Sequence, residues 1–281
     1  MTSMRTIAHI SDLHFGRHNV EVTEHLLASL ESIRPDLVVI SGDFTQRARQ
    51  VEFVEARRFL DRIGFAKLVT PGNHDVPLYN LFSRTLSPFR KYRRYIAPLD
   101  RPLSWFEDDE LAVLALNTAR RFTGKNGRLS QLQIASIGRI FAAVPREKTR
   151  IIVTHHPLAI PGTEHPVELA GRALAALQAI AEAGIHLLLS GHHHNALSGP
   201  ATELSGGGSM LIVHAGTAIS TRTRGLGGNS YNLIEVARGN VAVRVMKWGN
   251  STGFAETELA CYAFDKNRWA RAAGCGGPLF A

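Results

Sequence analysis

The chain has 281 residues, 44% hydrophobic and 20% charged, with a formal net charge of +8. Such a length and balance exclude a disordered chain and allow one large domain or two small ones, with a core that needs no covalent staples. The excess of 32 Lys and Arg over 24 Asp and Glu attracts anionic partners without choosing among phosphoryl compounds, nucleic acid and anionic lipid.

The first apolar run, residues 6–10, reads as a buried strand and is too short for the apolar region of a signal peptide. A helix follows over 21–33, with Val22, Leu26, Leu27, Leu30 and Ile33 on one face. A strand at 37–40, a helix at 51–63 and a strand at 66–69 continue the alternation. Residues 78–101 then interleave aromatic and aliphatic side chains with Arg84, Arg90, Lys91, Arg93, Arg94 and Arg101. Beyond them come a strand at 111–116, a helix at 130–143, a strand at 150–153, a helix at 168–183 and strands at 186–189 and 210–213. Alternation of this kind predicts an α/β fold with buried strands. After residue 205 helices cease. Strands at 231–237 and 241–247 are joined by a hairpin turn at Gly239-Asn240, and Gly206–Gly208 form another turn. Residues 1–250 read as one domain and 251–281 as a C-terminal extension, packed on it or partly flexible. Cys261 and Cys275 fit no common zinc spacing and read as unpaired thiols in a reducing compartment. With no run of about 18 apolar residues to span a bilayer, the reading is a cytoplasmic protein, at most peripheral to the inner face of the membrane through 78–101.

Five polar motifs each stand at the carboxyl end of an apolar run. They are Ser11-Asp12-Leu13-His14, Ser41-Gly42-Asp43, Pro71-Gly72-Asn73-His74-Asp75, Thr154-His155-His156-Pro157 and Ser190-Gly191-His192-His193-His194-Asn195. Open α/β sheets gather their ligand sites beyond those strand ends, so the five motifs can converge. Carboxylate, imidazole and amide oxygen, with no thiolate, suit Mn, Fe, Co or Zn. Asp12 and His14 are two residues apart and point the same way from an extended backbone, as do His192 and His194. Asp43 can bridge two ions through its two oxygens.

Taken in order, these motifs resemble the calcineurin-like metallophosphoesterase superfamily over residues 6 to about 195, and most closely the bacterial class III cyclic-nucleotide phosphodiesterases. The resemblance implies a four-layer αββα sandwich of two mixed sheets flanked by helices. It places Asp12, His14 and His194 on a first metal ion, Asn73, His155 and His192 on a second, and Asp43 between them. It also makes His74 the catalytic residue beside Asp43, aiding attack by a metal-bridging hydroxide on a small phosphodiester such as a cyclic nucleotide.

Other residues bear on the substrate. Asn195, Arg222, Arg224 and His156 are candidates to touch it, the arginines because a guanidinium pairs bidentately with phosphate. The mixture at 78–101 suits a cap over the site or contact with anionic lipid, which keeps open a lipid-linked pyrophosphate or phospholipid diester as substrate. Nucleic acid is not the expected partner, although the net charge permits it, and a homo-oligomer is allowed. A non-catalytic metal-binding scaffold is the reading from outside enzymology.

Overall fold

A computed structural model of the chain describes residues 3–78, 81–97, 104–122, 125–161, 169–201, 210–223, 227–266, 268–272 and 275. Thirteen strands form two sheets among these residues. The first runs β13 (Arg268–Arg271), β12 (Gly253–Asp265), β11 (Asn240–Gly249), β10 (Ser230–Ala237), β1 (Arg5–Ile10), β2 (Leu37–Ile40), β3 (Lys67–Val69). The second runs β4 (Ser104–Glu107), β5 (Leu111–Ala115), β6 (Thr149–Val153), β7 (Leu187–Ser190), β9 (Leu211–His214), β8 (Leu197–Pro200). In the first, β1, β2 and β3 are parallel and β10 returns antiparallel to β1. In the second, β5, β6, β7 and β9 are all parallel.

Strand periodicity sorts the side chains into layers. In β2, Leu37 and Val39 face the second sheet while Val38 and Ile40 face helices. In β7, Leu187 and Leu189 face the first sheet while Leu188 faces outward. Buried on both faces, such strands read as unbroken apolar runs, which is why they were legible without a period-2 signal. One core lies between the sheets. A second lies between the first sheet and α1 (Val20–Ile33), α2 (Gln50–Arg62) and α4 (Arg90–Tyr95), and a third between the second sheet and α5 (Gln131–Ala142) and α6 (Ala173–Glu182). The architecture is the four-layer αββα sandwich.

Local chemistry sets the helix starts. The Asn19 side chain accepts from Val22 N at 3.3 Å, and Ser130 and Gln133 form a reciprocal capping box on α5. The helix expected over 168–183 starts only at Ala173. Before it, Gly171 N bonds Gly127 O, and Arg172 takes a left-handed φ of 67°, which no helical run can include.

Several expectations are corrected. The boundary at residue 250 falls in the turn joining β11 to β12, and β12 and β13 complete the first sheet. The hairpin turn is Arg238-Gly239, with Asn240 already paired to Ala237. Cys261 and Cys275 are not free thiols: the β12–β13 hairpin returns the chain, Ala272 N bonds Cys261 O, and the two cysteines form a disulfide with Cα atoms 5.8 Å apart. That removes the ground for reading a reducing compartment from them. Within residues 78–101 the described part forms two short helices, α3 (Leu81–Leu86) and α4. Arg101, Arg224 and the Gly206–Gly208 turn lie outside the described residues. No helix among the described residues is long and apolar enough to cross a membrane.

Candidate metal centre

The site forms where the carboxyl ends of both parallel strand sets meet. Past β1 and β2 the parallel ladder continues, with Asp12 N donating to Gly42 O at 3.1 Å and His14 N to Asp43 O at 2.9 Å. This brings Asp12, His14 and Asp43 to one edge. The β3 loop follows, with Asn73, His74 and Asp75 in a single 3-10 turn. From the second sheet, His155 follows β6, and His192 and His194 follow β7.

Cross-sheet hydrogen bonds lock these loops together. His155 Nδ1 donates to Ser41 O at 2.7 Å, and His192 N donates to Asp12 Oδ2 at 3.0 Å. Because a carbonyl only accepts, His155 must carry a proton on Nδ1, and its Nε2 faces Asn73 Oδ1 at 3.2 Å and Asp43 Oδ2 at 3.3 Å. His194 Nδ1 lies 2.6 Å from Thr217 Oγ1, and its Nε2 lies 3.3 Å from Asp12 Oδ1. The His14 Nε2 atom lies 3.7 Å from Asp12 Oδ1 and 3.9 Å from Asp43 Oδ2. Two groups, Asp12–His14–His194 and Asp12–Asp43–His155, thus each hold their donor atoms within 4.8 Å of one another, and Asp12 and Asp43 link them.

Backbone conformation marks the same residues. Asp12, His14, Asp43, His192 and His194 all have φ between 49° and 72°. Each such residue costs on the order of 1 kcal/mol or more and persists only where the surroundings over-determine it. Two glycines make room. A Cβ on Gly72 would strike Asp43 Oδ1, and one on Gly191 would strike Ser11 Oγ and sit 2.8 Å from Asp12 Oδ2.

The donors fit a pair of cations. Asp12 Oδ1 and both nitrogens of His14 are buried and lack a hydrogen-bond partner, an expensive state that a cation would relieve at the carboxylate oxygen and at the unprotonated ring nitrogen. Burial alone would raise both carboxyls, yet His194 and His14 pull Asp12 below its ordinary range, and His155 and His74 do the same to Asp43. Burial works against a charged His155, but Asp43 outweighs it and lifts the imidazole to about 9. Burial, then His155, takes His192 down to about 3, so it stays neutral with a lone pair to give. Asp75 has another task. Its carboxylate accepts from Gly72 N, Phe44 N and Thr45 N, tying the Asp43 loop to the Asn73 loop, and burial with Asp43 raises it to about 7.

His74 stands beside Asp43 and His14, with its ring 4.8 Å from that of His14. Its Nδ1 donates to Gln46 O at 2.7 Å, and its backbone N–H holds Asp43 Oδ1 at 2.8 Å. It lines an open cleft of about 330 Å³ together with Asn73, Gln46, Arg47, Val76, Leu78, Arg84 and Lys125. Of the residues expected to touch substrate, Arg222 reaches this rim: its Nη1 donates to Gln46 Oε1 at 3.3 Å. Asn195 is exposed next to His194. His156 is not at the mouth. It is buried, pairs with Thr118 Oγ1 at 2.7 Å, and its ring lies 4.7 Å from that of His192, behind the metal-facing imidazoles. Sequence reasoning did not single out Gln46, Arg47 or Lys125. Proximity to Asp43 could have pointed to the first two, but nothing local marks Lys125.

Comparison with known proteins agrees. The family model for Calcineurin-like phosphoesterase matches residues 5–196. The glycerophosphodiester phosphodiesterase GpdQ of Enterobacter lignolyticus is 26% identical over 207 residues, covering 67% of this chain and 70% of the relative. A dimetal phosphatase from Danio rerio superposes with a TM-score of 0.66 at 13% identity, over 93% of this chain and 99% of that one. A purple acid phosphatase from yellow lupin seeds gives a TM-score of 0.62 at 13% identity, over 92% of this chain and 53% of that one. At that identity the two structures speak for the fold alone.

Proposed function

This chain belongs to the calcineurin-like phosphoesterase family, and we propose that it is a two-metal phosphodiesterase acting on a small phosphodiester. It is a phosphoric ester hydrolase; the diester preference and the residue roles are our reading. The observation that carries it is the convergence of Asp12, His14, Asp43, Asn73, His155, His192 and His194 around orphaned buried donor atoms, with Asn73 also lining a cleft that holds Arg47, Arg84 and Lys125.

Asp12, His14 and His194 would hold one ion and Asn73, His155 and His192 the other, with Asp43 shared. The ions would be Mn, Fe, Zn or Co, in keeping with an oxygen and imidazole donor set. When bound, the pair supplies Lewis-acid charge to phosphoryl oxygens and acidifies a coordinated water. Around it, Arg47, Arg84 and Lys125 give the cleft a positive lining that draws the substrate phosphate. Arg222 braces Gln46, whose carbonyl fixes the His74 ring. With its Nδ1 proton held by Gln46, protonated His74 gives its Nε2 proton to the departing alkoxide oxygen, which leaves as the alcohol. A glycerophosphodiester or a cyclic nucleotide offers the single diester phosphate this cleft suits. The name of the GpdQ relative supports the first, and the resemblance to class III enzymes the second.

The test is turnover by Mn²⁺-loaded protein of bis(4-nitrophenyl) phosphate against 4-nitrophenyl phosphate, followed by glycerophosphocholine and cyclic AMP. The diester should be hydrolysed faster, and replacing His74 with Ala should lower turnover by about 10²- to 10⁴-fold with metal content unchanged. A preference for the monoester would overturn the diesterase assignment, and full turnover in H74A would remove His74 from the mechanism.

A further inference from the structure

The two short helices after the Asn73 loop treat their apolar residues in opposite ways. Tyr92 and Ile96 of α4 and its C-cap are buried, and Tyr95 stacks on Phe53 of α2 at 6.3 Å. On α3, Phe82 is 76% exposed and Leu86 65%. Leu78, just before it, is 55% exposed, and Phe122 71%. The turn carrying Phe122 is bound to α3 by reciprocal hydrogen bonds, Arg84 Nε to Arg121 O and Arg121 Nη1 to Thr85 O at 2.7 Å. The apolar side chains are therefore held out on a braced platform. Apolar groups left in water so close together mark an interaction site rather than chance exposure.

Charge on the platform has one sign. Residues 78–97 contain Arg84, Arg90, Lys91, Arg93 and Arg94 and no Asp or Glu. A groove of about 300 Å³ is lined by Phe82 and Leu86 together with Arg90, Lys91 and Arg94, and the buried Asp75 is its one carboxyl. Arg90, Arg93 and Arg94 form no ion pair with a carboxylate among the described residues. Leu78 and Arg84 line both this platform and the mouth of the metal centre.

We propose that the α3–α4 platform is a docking surface for an anionic phospholipid bilayer. Protruding apolar side chains beside uncompensated guanidinium groups are what a lipid interface takes up together, the first below the headgroups and the second at the phosphates. An acidic protein partner would use the charges and leave Phe82, Leu86 and Phe122 wet. Docked this way, the protein presents the mouth of its metal centre to the lipid surface. The docking does not depend on which diester is cleaved.

Co-sedimentation of the full chain with phosphatidylglycerol-containing vesicles, against pure phosphatidylcholine vesicles, tests this. Binding should require the anionic lipid and fall with added salt. The double variants F82S/L86S and R90E/R93E should each weaken it at least about tenfold, while hydrolysis of bis(4-nitrophenyl) phosphate in solution stays at the level of the parent and so reports intact folding. The proposal is overturned by absence of binding to the anionic vesicles, by binding that both double variants leave unchanged, or by sedimentation showing that the parent is a dimer which F82S/L86S dissolves without any vesicle binding.

Discussion

The two sheets contribute to the site in unequal currency. Of the proposed ligands, the first supplies every oxygen donor, Asp12, Asp43 and Asn73, with one imidazole, His14. The second delivers imidazoles alone, His155, His192 and His194. Neither set can hold two cations by itself. The first has a single imidazole beside its oxygens, and the second has no anionic group to offset the ions' charge. The site exists because the inter-sheet core of residues such as Val39, Val153 and Leu189 brings the strand ends together, and because Ser41 O and Asp12 Oδ2 accept hydrogen bonds across the seam.

That inequality makes the two sides fail differently. On the proposed assignment Asp43 is shared by both ions, so replacing it with Ala should lose both and turnover should fall to background, as read by elemental analysis and diester hydrolysis. On the other side, replacing His192 with Ala should strip one ion and leave the other. Equal loss of both ions in the two variants would break the comparison. A smaller change acts one step out. Thr217 holds His194 Nδ1 at 2.6 Å, so Thr217→Val should weaken metal binding by about 10- to 100-fold without unfolding the protein. Titration of metal-free protein with Mn²⁺ reads this directly.

A separate effect, on stability rather than turnover, tests the second sheet outside the proposed ligands. Burial, then Arg150, lowers His186 to about 4, and burial, then His193, does the same to His214. Both folded values lie below the unfolded value near 6.5. The native state therefore binds fewer protons between pH 6.5 and 4. The stability these groups contribute is fully present above that window and is lost as pH falls through it, by up to roughly 3 kcal/mol for each. Urea unfolding across this range should show the slope. The variant His186→Asn keeps an acceptor for Arg150 N, at 3.0 Å in the parent, and should flatten it. An unchanged slope would mean that His186 is not held neutral.

Legibility in the sequence followed the same division. Each metal-facing residue comes just after an apolar strand, so strand and donor were read together from a dozen residues. The bonds that close the seam were not readable, because Ser41 meets His155 and Thr217 meets His194 only after the sheets pack. The edge of the first sheet was missed for another reason. β12 leaves its middle residues, Ala255 to Glu258, exposed, and a register shift at Val245/Met246 breaks its match to β11, so no apolar run announces it. The disulfide followed from that omission, since only the β12–β13 hairpin brings Cys275 back to Cys261. In the cleft beside His74, Lys125 joins Arg47 and Arg84 from a loop far along the chain.

Reconstitution of metal-free protein is the most direct test of a centre built jointly by the two sheets. With Mn²⁺ added in known equivalents, bound metal and bis(4-nitrophenyl) phosphate turnover should rise together and level off at two ions per chain. Full turnover at one equivalent, or fewer than one ion bound at saturation, would contradict it.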